Sequence, residues 1–374
     1  MKSILHIITG LENGGAEAVL FRLLTNDKQN RHTVISMMGM GKYGPMLEQN
    51  GLQVFSLDMP KGKVTFKGIK LLWKLVGNIR PDMIQTWMYH ADLIGGVIGR
   101  LRGIRNIYWC IHNSTLVRGL TASNTLWVTR ICATLSYVVP KKIISCATKA
   151  MEVNISQGYS AKKFCLVPNG YDLAHFKPDD EEGKKQRGKW QIAKSTFLIG
   201  MVARFDPQKD VLNLIRALNI MLEKGTDFHV VLVGSGMDTN NTMLNDWLNE
   251  NGIENNVTLV GQHDDIPLVM NAIDLLVLSS KYGEAFPNVL CEAMACGTPC
   301  VATDVGDSAF IIGDTGWVVP TQSSQLLARS ILEAEKAWAD DEIWNAISEN
   351  ARKRIQVNFG IQRMVEGYRQ VWGL

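Results

Sequence analysis

Short apolar and β-branched runs alternate along the whole chain with stretches whose apolar positions recur at helical spacing. That alternation is the signature of parallel sheets covered by helices on both faces. The first half predicts strands over 3–9, 32–37, 53–57, 83–86, 107–111, 142–145 and 164–167. The second predicts them over 197–203, 228–233, 257–260, 275–278 and 300–302. Two such series imply an α/β protein of two doubly wound, Rossmann-like domains.

Between the series lies 177–191, KPDDEEGKKQRGKWQ, charged and without apolar period. It reads as the connection and the start of the second domain, with the turn signal Asn169-Gly170 just before it. The expected organisation is a domain over 1–176, a linker over 177–191 and a second domain over 192–355. A C-terminal helix over 356–374 is expected to pack back on the first domain. Past Glu333 the chain reads as helical, with Gly360 as a break.

Of the 374 residues 46% are apolar and 20% charged, the balance of a globular enzyme, which excludes disordered and fibrous classes. The net charge of +3 hides an asymmetry. Residues 1–180 hold 22 Lys+Arg against 11 Asp+Glu, a net of +11, and the remainder holds 17 against 25, a net of −8. A basic first half suggests an anionic partner. The seven cysteines are scattered without a C-x-x-C pair, which argues against disulfides and a zinc cluster and for a reducing compartment. The apolar run after Ser3 is too short for a signal peptide, and no run of about 18 apolar residues suggests a membrane span.

Three loops carry candidate chemistry. The first strand runs into Gly10-Leu-Glu-Asn-Gly-Gly-Ala-Glu17, where Gly14 and Gly15 would let backbone N–H groups meet an anion at a helix N-terminus. The spacing is not G-x-G-x-x-G, which lowers a nicotinamide reading, and a tight turn explains the loop equally well. After strand 197–203 come Arg204 and Lys209, a planar fork and a point charge suited to a diphosphate, or else a solvated loop.

The third loop is SSKYGEAFPNVLCEAMACGTP, 279–299. Pro287 stands where a helix would begin and Gly297 where it would end. Glu284 on the loop and Glu292 one turn into the helix only accept hydrogen bonds when ionised, which suits hydroxyl-rich ligands. The N–H groups of Phe286, Pro287's neighbour Asn288, and Val289 lie where a helix N-terminus suits phosphate oxygens.

Glu284 and Glu292 with AFPNVLC between them resemble the E-x7-E motif of retaining nucleotide-sugar glycosyltransferases of the two-domain GT-B type, glycosyltransferase family 4. Arg204 and Lys209 resemble that family's diphosphate grip, Gly14-Gly15-Ala16-Glu17 its first glycine loop, and Cys110-Ile111-His112 the strand whose histidine reaches the donor sugar. The four motifs occur in the family's order across nearly the whole chain.

The resemblance implies two domains facing each other across a cleft and a nucleotide-sugar donor, UDP-linked by expectation. It implies that Gly14 and Gly15 approach the diphosphate, that Arg204 and Lys209 stabilise the leaving group, and that Glu292 holds the ribose. Glu284, with the main chain at Ala285, Phe286, Pro287, Asn288 and Val289, would hold the transferred sugar. Gly234 and the pair Gln262 and His263 would approach ribose and base, and His112 would serve catalysis. His90 and Trp87 are candidates for the acceptor, a glycan that is lipid-linked by expectation. Glu284 is committed to hydroxyl recognition, so same-face transfer with retention is favoured over double displacement. The chain has no Asp-x-Asp, so no metal and no further cofactor are expected.

Lys63, Lys67, Lys70 and Lys74 fall at spacings of four, three and four, a single stripe on a helix. Such a stripe could rest on anionic lipid or form a solvated face. Peripheral contact with the inner face of the cytoplasmic membrane follows as an expectation, and nucleic acid is not expected, since no stacking pattern accompanies the charge. Two alternatives to the transferase stay open: a sugar-nucleotide epimerase of the same GT-B fold, and a non-catalytic sugar-nucleotide-binding partner.

Overall fold

The structure, a computed structural model, describes residues 1–113, 116 and 122–374. Among them the chain divides into two compact units, 1–170 with 361–374, and 171–360.

In the first unit the strands are β1 Ser3–Ile8, β2 Arg31–Ser36, β3 Gln53–Ser56, β4 Met83–Trp87, β5 Ile107–Ile111, β6 Lys142–Ser145 and β7 Phe164–Leu166. They form a parallel sheet in the order β3-β2-β1-β4-β5-β6-β7. The helices Phe66–Ile79, Tyr89–Leu101 and Ser123–Leu135 cover one face, over Leu5, Ile7, Ile84 and Trp109. Gly15–Asn26 and Ile361–Trp372 cover the other, over Ile4, Ile8 and Trp87. Burial on both faces is why these strands read as nearly continuous apolar runs rather than alternating ones.

The second unit holds β8 Phe197–Val202, β9 Phe228–Val233, β10 Val257–Gly261, β11 Leu275–Leu278, β12 Cys300–Thr303 and β13 Trp317–Val319, also parallel, in the order β10-β9-β8-β11-β12-β13. Its core sets Phe197, Ile199 and Met201 against Leu214 and Leu218 of the helix Val211–Glu223. In both sheets the strand order reverses once, beside β1 and β4 and beside β8 and β11. Ligand crevices open at the carboxyl ends of such switch points.

The structure corrects the expected boundaries at two places. Residues 177–191 are no linker: Asp180–Lys189 is a helix of the second unit. Capping and charge hold it in place of an apolar stripe. Asp179 accepts from the Glu182 N–H, three acids occupy the first turn, and Arg187 grips Asp274 through both terminal nitrogens at 3.1 and 2.8 Å. A Cβ at Gly183 would come within 2.1 Å of the Asn271 carbonyl oxygen, so the helix lies directly on that backbone. The second change is the crossing point, between Gly170 and Tyr171 and again between Gly360 and Ile361. The last helix belongs to the first unit, where Trp372 Nε1 donates to Gln85 Oε1 at 3.0 Å and Tyr108 donates to the Trp372 carbonyl at 3.0 Å.

Divided at the true crossings, the charge asymmetry grows. The first unit carries 23 Lys+Arg against 9 Asp+Glu, a net of +14, and the second 16 against 27, a net of −11.

Candidate functional site

In the second unit four loops meet at the carboxyl ends of β8 to β11, laced together by their main chains. Phe205 N–H donates to Ser235 O, Gly234 N–H to Gly261 O, and Lys281 N–H to Gln208 O, all within 2.7 to 2.9 Å. Gly234 has φ of +139°, and a Cβ there would stand 2.0 Å from the Ala203 carbonyl oxygen. Glycine is what allows these two loops to touch.

Lys209 ends a short turn, Pro207–Lys209, that Asp206 caps by accepting from the Gln208 N–H. Its ammonium meets Glu284 Oε1 at 2.5 Å, with both side chains largely buried. The Ser280 hydroxyl donates to the same oxygen at 2.7 Å. Sequence spacing gave each charge its place, and the fold makes them partners. Among the described residues no other group takes an ammonium proton of Lys209, which leaves two for a ligand. Arg204 is exposed, and among the described residues its guanidinium makes no ion pair.

Glu284 stands on a loop shaped from two sides. Gly283, at φ +84°, packs on the Gln208 side chain, and Gly306, at φ +61°, lies against the Glu284 carbonyl, where a Cβ would come within 2.4 Å. Asp307 N–H closes the contact by donating to Ala285 O at 3.0 Å. Ala285 and Phe286 are buried, and the Phe286 ring packs edge-on against Phe359 at 5.6 Å. The helix Asn288–Ala295 then begins, with the Asn288 carboxamide oxygen accepting from the Tyr171 hydroxyl. The Phe286 ring and the Asn288 carboxamide oxygen are therefore already engaged within the unit. Glu292 is half-buried one turn along the same helix, Gln262 is exposed, and His263 Nδ1 accepts from the Asp265 N–H at 3.1 Å.

The sequence reading missed Ser280 and Gly306. Two serines after an apolar strand carry no distinctive spacing, and a glycine after β12 is ordinary until its neighbour is known.

In the first unit the candidates separate. Trp87 is corrected: it is fully buried, the last residue of β4, stacked between His112 at 5.5 Å and Tyr368 at 5.8 Å. Its indole N–H donates to His6 Nδ1, so it belongs to the core and meets no acceptor. His112 is half-buried on that indole, with its Nε2 3.1 Å from Cys110 Sγ. Burial, and then the positive charge of Arg22, push its pKa down to about 4, so its imidazole is neutral at pH 7. His90 is half-buried at the start of the helix Tyr89–Leu101 and lines a cavity.

Gly14 caps the helix Gly15–Asn26. A Cβ at Gly14 would come within 2.3 Å of Glu17 Oε2, so a carboxylate already faces this helix end. Burial, reinforced by Glu12, raises the Glu17 pKa.

Residues 182–354 match the family model described as glycosyl transferases group 1, and residues 13–175 match glycosyltransferase family 4. Among named relatives, the Escherichia coli UDP-Gal:α-D-GlcNAc-diphosphoundecaprenol α-1,3-galactosyltransferase is 23% identical over 314 residues, 82% of this chain and 79% of its own. The Campylobacter jejuni N,N'-diacetylbacillosaminyl-diphospho-undecaprenol α-1,3-N-acetylgalactosaminyltransferase is 24% identical over 345 residues, 87% of this chain and 89% of its own. The crystal structure of Anabaena HepE in complex with UDP superposes over the full length of both chains with a TM-score of 0.87 at 23% identity. Between them the two family models span most of the sequence, and the chain belongs to the group 1, family 4 glycosyltransferases, with their GT-B architecture of two Rossmann-like domains.

Proposed function

We propose that the chain is a retaining, metal-independent hexosyltransferase that moves a sugar from a UDP-linked donor to a lipid-linked glycan in surface polysaccharide or glycoconjugate synthesis. The observation that carries this reading is the Lys209–Glu284 pair. A cation for a departing diphosphate and a carboxylate for sugar hydroxyls stand in contact at a sheet switch point. Arg204 adds the second positive charge, Glu292 holds the ribose, and main-chain N–H groups at 286, 288 and 289 meet oxygens of the donor. The loops of Gly234, Gln262 and His263 receive the base side, and Gly14 and Gly15 offer N–H groups once Glu17 swings aside. A Glu284 oxygen bonded to an ammonium and a hydroxyl is a poor nucleophile, which favours same-face transfer over a covalent intermediate. His112, neutral, serves as a hydrogen-bonding group rather than as an acid at pH 7.

The relatives' names, with UDP-Gal and diphosphoundecaprenol, support the donor and acceptor classes, as does the UDP held by HepE. The same names, both of transferases, disfavour the epimerase alternative. Incubating purified protein with UDP-sugars and a lipid-linked glycan in EDTA is expected to give product with the donor's anomeric configuration. An inverted product, or activity abolished by EDTA, overturns the mechanism.

No helix among the described residues is long and apolar enough to cross a membrane, so contact with lipid would be peripheral. On the helix Phe66–Ile79 the buried stripe is Gly68, Leu72 and Val76, while Lys67, Lys70 and Lys74 are exposed beside Phe66 and Trp73. Lys63 precedes it. This face is read as resting on the inner leaflet. Vesicles containing anionic lipid are expected to float the protein, and Lys67→Glu, Lys70→Glu and Lys74→Glu together are expected to abolish flotation. Flotation unchanged by the triple variant removes this contact.

A further inference from the structure

One of the cavities outside the donor loops lies in the first unit. It encloses about 260 Å³ at the carboxyl end of the N-terminal sheet, reached from Thr9 after β1, Met38 after β2, Met59 beyond β3 and His90 after β4. It therefore sits over the switch point between β1 and β4.

Its walls are apolar. Met37, Met38, Met59 and Val64 supply flexible thioethers and a branched methyl surface, which adapt to an irregular chain. The polar groups are few. Thr9 Oγ1 is buried without a hydrogen-bond partner among the described residues. Burial lowers the pKa of His90, so its imidazole is neutral near pH 7. The charges among the described lining residues are those of Lys61 and Lys63, both exposed.

Two helices start beside this cavity. Val64 precedes Phe66–Ile79, and Asn124 lies in the first turn of Ser123–Leu135. Neither helix contains an acidic residue. Between Met59 and Met151 the chain has 14 Lys+Arg and two acids, Asp82 and Asp92. Asp92 is fully buried, and Asp82 is bonded to Ser3 N and Lys2. The outer surface leaves Phe66 82% and Trp127 65% exposed, with Trp73 and Ile131 also in solvent. A basic, aromatic surface of this kind settles among anionic head groups.

An apolar chamber with a cationic mouth complements an amphiphile whose chain joins directly to an anionic head. A bare sugar would gain little from methionine walls, and a free phosphate would gain nothing from the chamber. We propose that the cavity is the subsite for the isoprenoid diphosphate of the acceptor, with the first isoprene units against Met37, Met38 and Met59 and the diphosphate at Lys61 and Lys63. This rests on the reading of a lipid-linked acceptor and names the part of that acceptor the first unit holds.

The test titrates farnesyl diphosphate into the full-length protein by calorimetry under saturating UDP, which occupies the donor loops. Farnesol and inorganic pyrophosphate serve as the separate halves. Farnesyl diphosphate is expected to bind about tenfold or more tightly than either half, the gain from burying a few methylenes beside a paired charge. Lys61→Glu with Lys63→Glu, and separately Val64→Asp, are expected to weaken it about tenfold or more. These positions are exposed, so the thermal melt and UDP affinity should stay as in the parent protein. Pyrophosphate or farnesol binding as tightly as the whole probe overturns the proposal, as does affinity indifferent to the substitutions or no binding at all. Transfer to a lipid-linked glycan by the parent protein is scored separately. Transfer without farnesyl diphosphate binding sinks the subsite alone, whereas use of water-soluble acceptors only sinks the reading beneath it.

Discussion

Lys209→Ala is expected to lower turnover by on the order of a hundredfold or more while the protein stays folded. Negative charge grows on the leaving diphosphate as the glycosidic bond breaks, so a cation beside it gains most in the transition state. The loss should therefore fall on kcat more than on the donor KM. The substitution also removes the ammonium partner of Glu284, which is 9% exposed and keeps its bond from the Ser280 hydroxyl. Taking a cation from a buried carboxylate costs local stability, so the melt is measured beside the rate. Arg204→Ala tests the same chemistry at an exposed position that holds no ion pair among the described residues, where the fold has less to lose. Lys209→Arg is not a neutral control, because a planar fork cannot reproduce an ammonium held against one carboxylate oxygen. A double variant, Arg204→Ala with Lys209→Ala, that keeps parental kcat would remove these residues from the chemistry.

The sequence exposed most of the fold because each strand buried on two faces leaves an unbroken apolar run. β13, Trp317–Val319, escaped notice: three residues after Gly316 are too few to show a period. The helix Asp180–Lys189 escaped for the opposite reason, since caps and ion pairs hold it and an apolar stripe does not. Trp87 misled because a tryptophan in Trp-Met-Tyr-His at a strand end resembles a ligand platform. Only the C-terminal helix, nearly three hundred residues later, shows what covers it. The E-x7-E spacing located Glu284, but its contact with Lys209, 75 positions away, is a property of the sheet order. The charge asymmetry was visible from composition, and the fold sharpened it by assigning 361–374 to the basic unit.

Arg369→Ala is expected to destabilise the first unit by about 3–5 kcal/mol, the cost of removing the cation from a buried ion pair. Asp27 is 2% exposed, and Arg369 donates to its Oδ1 through Nη2 at 2.6 Å and Nε at 3.1 Å. The other oxygen ends a directed chain. Trp87 Nε1 can only donate, so His6 Nδ1 accepts. His6 Nε2 must then carry the proton given to His32 Nδ1 at 3.0 Å, and His32 Nε2–H donates to Asp27 at 3.2 Å. Burial, and then His32, lowers the His6 pKa well below its usual value, against the pull of Asp27, which keeps this imidazole neutral. Burial by itself would raise the Asp27 pKa. Hydrogen bonds from His32, Asn30 and Arg369 outweigh it and hold the carboxyl well below the usual range. A depressed folded pKa contributes stability that is present above the unfolded value, near pH 4, and is lost as pH falls below it. Calorimetry at pH 7 should show the Arg369→Ala transition roughly 6–20 °C lower. Asp27→Asn in the same chain should recover part of the loss and flatten the acid limb of the stability profile. An unchanged melt would mean that the pair contributes nothing. The chain also reaches the site, because the helix that Arg369 pins carries Tyr368, which stacks on Trp87, which in turn stacks on His112. Loosening that helix should reduce turnover through His112 more than it weakens UDP binding, which the proposed site draws mainly from the loops of the second unit.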